Sequence, residues 1–194
     1  KTVLEIGSGN GLHSRIILDS NAYLIATDIS SISLKVLKER FKSSTNLKTV
    51  VCDMENIDFP ADTFDLVLSA GSLSYGDNKL VMENIYRVLK PGGTFLCVDS
   101  LNDNFIYKIN RFLHFLRGNR SFSTIVRIPN IRTLEMYKRK FSNCSIKYYG
   151  SIIWLIPFFR LILSEKNTLR IINLFDDFIK VRKSAFKFVM KLEK

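Results

Sequence analysis

Three glycines at alternate positions, Gly7, Gly9 and Gly11, end the run Glu5-Ile6-Gly7-Ser8-Gly9-Asn10-Gly11. Without a Cβ, such residues let the backbone turn tightly and let a ligand come close to it. The run follows an apolar stretch, Thr2–Ile6, and precedes a helix-forming one, Leu12–Leu18. Amide groups at the start of that helix suit a carboxylate or a phosphate. Asp28 closes the next apolar stretch. A carboxylate there can accept from both hydroxyls of a ribose; its bland alternative is a helix cap. A dinucleotide fingerprint shares these features but needs G-x-G-x-x-G/A. Counted from Gly7, the sixth position is Leu12. Glu5 ahead of the first glycine is also foreign to that fingerprint.

The elements that must position these residues alternate along the first half. Apolar runs predict strands at Thr2–Ile6, Tyr23–Thr27, Leu47–Val51, Phe64–Leu68 and Thr94–Val98. Between them, helices are expected from Leu12, from a cap at Ser31 to Phe41, and over Leu80–Leu89. Lys90-Pro91-Gly92-Gly93 reads as a turn that stops the last of these. Strands alternating with helices imply a parallel, doubly wound α/β sheet.

In the second half, Phe105–Leu116 and Ile131–Phe141 read as helices, with Arg117–Pro129 a basic loop between them. Cys144–Tyr149 reads as a sixth strand. Ile152–Leu163 is apolar but interrupted by Pro157 and Arg160, and too short to cross a membrane. Leu169–Val181 carries Leu169, Ile172, Phe175 and Ile179 at helical spacing, with Asp176-Asp177 beside them. Ala185–Leu192 alternates Phe186, Phe188, Met190 and Leu192 with Lys187 and Lys191, the period of a strand. Seven strands result, the last two expected to pair antiparallel.

At 194 residues and 46% hydrophobic, the chain suits one domain with a real core. It opens at Lys1 directly on a strand, so a preceding helix is expected in the full protein; no signal peptide is visible. Cys52, Cys97 and Cys144 are widely spaced inside apolar runs and read as core thiols. With two histidines, no metal site is expected. The net charge of +11 gathers in the second half. Lys108, Arg111, Arg117, Arg120, Arg127, Arg132, Lys138, Arg139, Lys140 and Lys147 stand against one acid, Glu135, over residues 106–148. Such a surface attracts nucleic acid, acidic phospholipid or a phosphorylated substrate, unless it is only a solvated face.

The run Glu5–Gly11 resembles the E/D-x-G-x-G-x-G motif of the class I S-adenosylmethionine (SAM)-dependent methyltransferases. The resemblance continues through Asp28, Asp53-Met54, the run Asp62-Thr-Phe-Asp-Leu-Val-Leu, and Arg87-Val-Leu-Lys-Pro-Gly-Gly93. It covers about half the chain and is nearest to small-molecule enzymes of the ubiquinone/menaquinone-biosynthesis type. It implies a Rossmann-like sheet of seven strands, mostly parallel, with an antiparallel last strand and a helical cap inserted before it. Residues 1–100 would be the SAM-binding half of a single domain, and 101–194 the acceptor side.

The resemblance also implies roles. Gly7, Gly9 and Gly11 would line the methionine moiety of SAM, Ser8 would join them in the cofactor site, and Glu5 would organise the loop. Asp28 would bind the ribose, Ile29 would pack on the adenine, and Asp53-Met54 would hold its edge. Ser69 would lie below the sulfonium. For Asp53, a surface acid is the bland alternative.

The loops after strands four and five, Gly71–Asp77 and Asp99–Asn104, should face the methyl group. Ser72, Tyr75, Asp99, Asn104, Tyr107 and Arg111 are candidates for holding an acceptor. Asp99 is the first choice for a base, with Tyr75 beside it and His114 next; His13 reads as a packing or surface residue. The pattern from Asn104 to Pro129 is similar, more loosely, to methyltransferases of bacterial surface-polysaccharide clusters. That likeness implies a sugar or carrier-linked glycan acceptor. The competing readings are a quinone-type lipid precursor, RNA, and a non-catalytic binding protein. Nucleic acid is disfavoured, because Ser69-Ala70-Gly71-Ser72 follows strand four where a base-amine motif would stand. The expected setting is cytoplasmic, with peripheral contact to an anionic membrane.

Overall fold

The computed structural model describes residues 1–119, 121–178 and 181–194. Arg120 and Ile179, which the basic cluster and the last predicted helix include, lie outside the described residues. The order is β1 (Thr2–Ile6), α1 (Ser14–Leu18), β2 (Tyr23–Asp28), α2 (Ser31–Arg40), β3 (Leu47–Val51) and β4 (Phe64–Ala70). Then come α3 (Asn78–Val88), β5 (Leu89–Ser100), α4 (Phe105–Leu116), α5 (Phe122–Arg127) and α6 (Ile131–Lys140). β6 (Asn143–Tyr149), α7 (Ile156–Phe159), α8 (Glu165–Phe178) and β7 (Lys187–Glu193) complete the chain.

The seven strands form one sheet in the order β3-β2-β1-β4-β5-β7-β6. The first five are parallel, and β7 runs antiparallel to both neighbours. The chain reverses direction across the sheet at β1, so β1 and β4 form its switch point, where such sheets bind ligands. The alternation of each strand divides the core. Val67, Phe95 and Cys97 join Val81, Ile85 and Val88 of α3 in one layer, while Ile17, Leu34 and Leu37 cover Val3, Leu24 and Ala26 in another. The second layer is centred on β1 and β2 and reaches Leu47 of β3 and Leu66 and Leu68 of β4 at its margins. Alongside it, Leu66, Leu68, Ala70, Leu96 and Val98 floor a cleft of about 770 Å³ beside Ile16 and Ile17.

Several expectations are refined. The turn at Lys90–Gly93 lies inside β5 as a bulge: Phe64 pairs with Leu89, then the register shifts so that Leu66 pairs with Thr94. Ser30, not Ser31, caps α2, its hydroxyl accepting from the Ser33 amide at 3.2 Å. The basic loop holds a helix, α5, because Ser121 accepts from the Thr124 amide and caps it. Ile152–Leu163 holds a 3-10 turn followed by the four-residue α7, and it leaves Phe158, Leu161 and Ile162 exposed. No helix among the described residues is long and apolar enough to cross a membrane.

Candidate cofactor and active site

The glycine run lies at the carboxyl end of β1. Gly7, Gly9 and Gly11 all have positive φ, +62°, +54° and +80°, which a side chain strains. A Cβ on Gly7 would collide with Ser72, in the loop that follows β4. The Ser72 hydroxyl donates to the Ile6 carbonyl at 3.1 Å and sits 2.8 Å from the buried Ser69 hydroxyl. The two loops at the switch point are therefore stitched together under the cleft. Gly11 does a different job. A Cβ there would come within 2.8 Å of Leu37 and 2.9 Å of Phe41, so it lets α2 pack closely and stands outside the cleft.

Asp28 ends β2 and faces the run. Its Oδ2 accepts from the Gly9 amide at 2.8 Å and its Oδ1 from the Ser30 amide at 2.8 Å. Each carboxylate oxygen has a second lone pair, so the group both pins the loop and can accept from a ribose. The cleft between these loops measures about 330 Å³, within the range usual for small-molecule sites. Ile29, 72% exposed, stands on its wall with Asp53 and Met54 opposite the glycines. Asp53 Oδ1 accepts from the Glu55 amide at 2.9 Å, which turns the chain after β3. Cys52 also lines this cleft, although its apolar strand points to a core thiol. Its place at a strand's carboxyl end was the available signal.

Glu5 and Ser8 are buried. The Ser14 hydroxyl donates to Glu5 Oε2 at 2.5 Å, tying β1 to the first turn of α1. Burial pushes the Glu5 carboxyl up to about 7, against the pull of that hydrogen bond. The Ser8 hydroxyl is buried with no hydrogen-bond partner among the described residues, and Ser8 is not among the residues lining the cleft.

The catalytic candidates separate. Tyr75 lines the cleft and is 67% exposed. Asp99 is 5% exposed, and its Oδ2 accepts from the Leu73 amide at 3.0 Å, so it holds the 3-10 turn Leu73–Tyr75. His114 lies in the last turn of α4, 3.5 Å from the Asn119 side chain, and is not among the residues lining the cleft. Asn104, Tyr107 and Arg111 are committed to the fold. Asn104 caps α4, Tyr107 donates to the Gly150 carbonyl at 3.0 Å, and Arg111 donates to the Leu101 carbonyl at 2.8 Å. Burial drives the Tyr107 phenol up to about 12. No cluster of His, Cys, Asp and Glu among the described residues could hold a metal ion.

Residues 4–97 match the family described as "Methyltransferase domain". These residues form a class I SAM-dependent methyltransferase domain. The chain is 25% identical over 156 residues to the "Ubiquinone/menaquinone biosynthesis C-methyltransferase UbiE" of Wigglesworthia glossinidia brevipalpis, covering 77% of this chain and 60% of that protein. It is 35% identical over 112 residues to the "Sterol 4-C-methyltransferase strm-1" of Caenorhabditis elegans, 56% of this chain and 34% of that protein. The chain thus spans about 60% or less of these relatives. Among solved structures, a Haemonchus contortus phosphoethanolamine N-methyltransferase 2 in complex with SAM has a TM-score of 0.69 at 18% identity, over 100% of this chain and 48% of that one. A SAM-dependent methyltransferase from Archaeoglobus fulgidus has a TM-score of 0.68 at 14% identity, over 100% and 86%. These last two likenesses concern the fold. The residues lining the cleft fit SAM chemically: the Asp28 carboxylate could accept from a ribose, the exposed Ile29 could pack on an adenine, and the glycines leave room for close approach.

Proposed function

We propose that the protein moves the methyl group of SAM to a small acceptor lying over the loops after β4 and β5. The observation that carries this reading is the convergence of Gly7, Gly9, Asp28, Asp53 and Tyr75 on one cleft at the switch point. Bound SAM supplies an electrophilic methyl whose transfer leaves a neutral thioether. Little charge then needs quenching, and positioning carries much of the rate. Asp28 and Asp53 fix the nucleoside. Ser69 and Ser72 fix the floor. Asp99 fixes Leu73–Tyr75 and so aims Tyr75, which stands at the mouth of the cleft.

Two acceptor classes have support. A sugar or carrier-linked glycan rests on the basic second half. Part of that charge is already spent: Arg111 is held by backbone, and Arg127 pairs with Glu55 at 3.4 Å. A quinone-type lipid precursor rests on the likeness to the two C-methyltransferases and on the apolar surface of α4 and α5. The likeness to the C-methyltransferases gives the second the firmer support. RNA and a non-catalytic role have less support, the latter because nothing in the cleft is degraded. Incubation with methyl-labelled SAM tests this. Label should pass into the organic phase of a bacterial lipid extract. Label confined to sugars or RNA would sink the lipid reading, and label that never leaves SAM under any acceptor would sink methyl transfer.

A further inference from the structure

Helix α4 is inside out. At about 100° per residue, Phe105, Ile109, Phe112 and Leu116 fall on one stripe at i, i+4, i+7 and i+11, and they are 73%, 45%, 50% and 63% exposed. The inward face carries Tyr107 and Arg111, both buried. A helix in water places its apolar stripe against a core; this one turns it out. The patch continues onto α5, where Phe122 and Val126 are each 62% exposed. The Phe115 ring bridges the two helices, 6.0 Å from Phe112 and 5.8 Å from Phe122.

The charge around the patch has one sign. No Asp or Glu occurs between Asn104 and Leu134. Lys108 and Arg117 are exposed beside the stripe, and neither pairs with a described acid. This decides between occupants. A second copy docking through the same patch would set basic rim against basic rim. An anionic bilayer offers an apolar interior below a negative surface.

We propose that the outward face of α4 and α5 docks this protein flat on an anionic membrane surface. α4 begins where β5 ends, and α5 packs on the 3-10 turn Leu73–Tyr75. The docked face therefore adjoins the mouth of the cleft. Docking needs neither SAM nor acceptor, so it stands or falls apart from methyl transfer.

Sedimentation with vesicles of phosphatidylglycerol and phosphatidylcholine, without SAM, tests it. The wild type should pellet at low salt, less so as salt screens the charges, and little with phosphatidylcholine alone. Removing one buried phenylalanine costs about tenfold in partitioning or more. Phe112→Ser with Leu116→Ser should thus weaken binding by at least about tenfold, and Ile32→Ser, exposed on α2, should not. Unchanged thermal melting and SAH affinity would show that the double variant still folds. Three results would overturn the proposal: no pelleting at any salt, equal pelleting of the double variant, or a concentration-dependent dimer abolished by these substitutions with no vesicle binding.

Discussion

Replacing Asp28 by alanine should damage two things at once. Its oxygens hold the Gly9 and Ser30 amides at 2.8 Å each, and they stand where a ribose diol would donate. Hydrogen bonds to a charged acceptor are worth about 1.5–3 kcal/mol each. Two lost to the ribose amount to about 3–6 kcal/mol, or roughly a hundredfold to ten-thousandfold in affinity. The two partly buried amides lose their acceptor as well, at a cost of about 1–3 kcal/mol in stability. Calorimetric titration with SAH and thermal melting read the two effects separately. Asp28→Asn, which keeps one acceptor oxygen, should fall between. Unchanged SAH affinity in the alanine variant would refute the ribose assignment. Lost affinity with unchanged melting would refute the loop-pinning role.

That double role shows what the sequence could and could not reveal. The glycine spacing and the place of Asp28 at a strand end are local features, and they mark the loop that the fold sets at the switch point. The strands followed from their apolar runs, down to the period of two in β7. That Asp28 also braces Gly9 is a contact across 19 residues, set by strand pairing that spacing does not encode. Asp99 reads as a base because it ends a strand over the site; only the fold shows that its carboxylate also accepts from the Leu73 and Ser100 amides and so braces the turn that carries Tyr75. Asn104, Tyr107 and Arg111 were polar residues in the right place, yet each anchors α4 to its surroundings. The apolar patches of α4 and of Ile152–Leu163 were legible as composition, but composition does not say which apolar side chains find partners.

Further outcomes are expected. Gly9→Ala meets no atom within 4 Å but projects a methyl beside the cleft, so it should cost more SAH affinity than stability; Gly11→Ala, crowded by Leu37 and Phe41, should do the reverse, at about 1–3 kcal/mol in stability. Denaturant titrations of both variants check this. The folded state holds the Glu5 proton up to about pH 7, whereas the unfolded chain releases it near 4.5, so stability should fall as pH rises across that window. Glu5→Gln, which can still accept from Ser14, should lose that slope; an identical slope in the variant would count against it. Burial raises the Cys52 thiol, so alkylation should be slow near neutral pH, and SAH should slow it further by covering the cleft. Mass spectrometry showing no protection of Cys52 would place the ligand elsewhere.

Hydrogen–deuterium exchange with and without SAM reads where the cofactor sits. SAM should protect amides in the segments Glu5–Gly11, Thr27–Ser30, Cys52–Glu55 and Gly71–Gly76, and leave Phe105–Arg127 unchanged. Protection confined to the 770 Å³ cleft over Leu66, Leu68 and Leu96, or no protection at saturating SAM, would contradict the account.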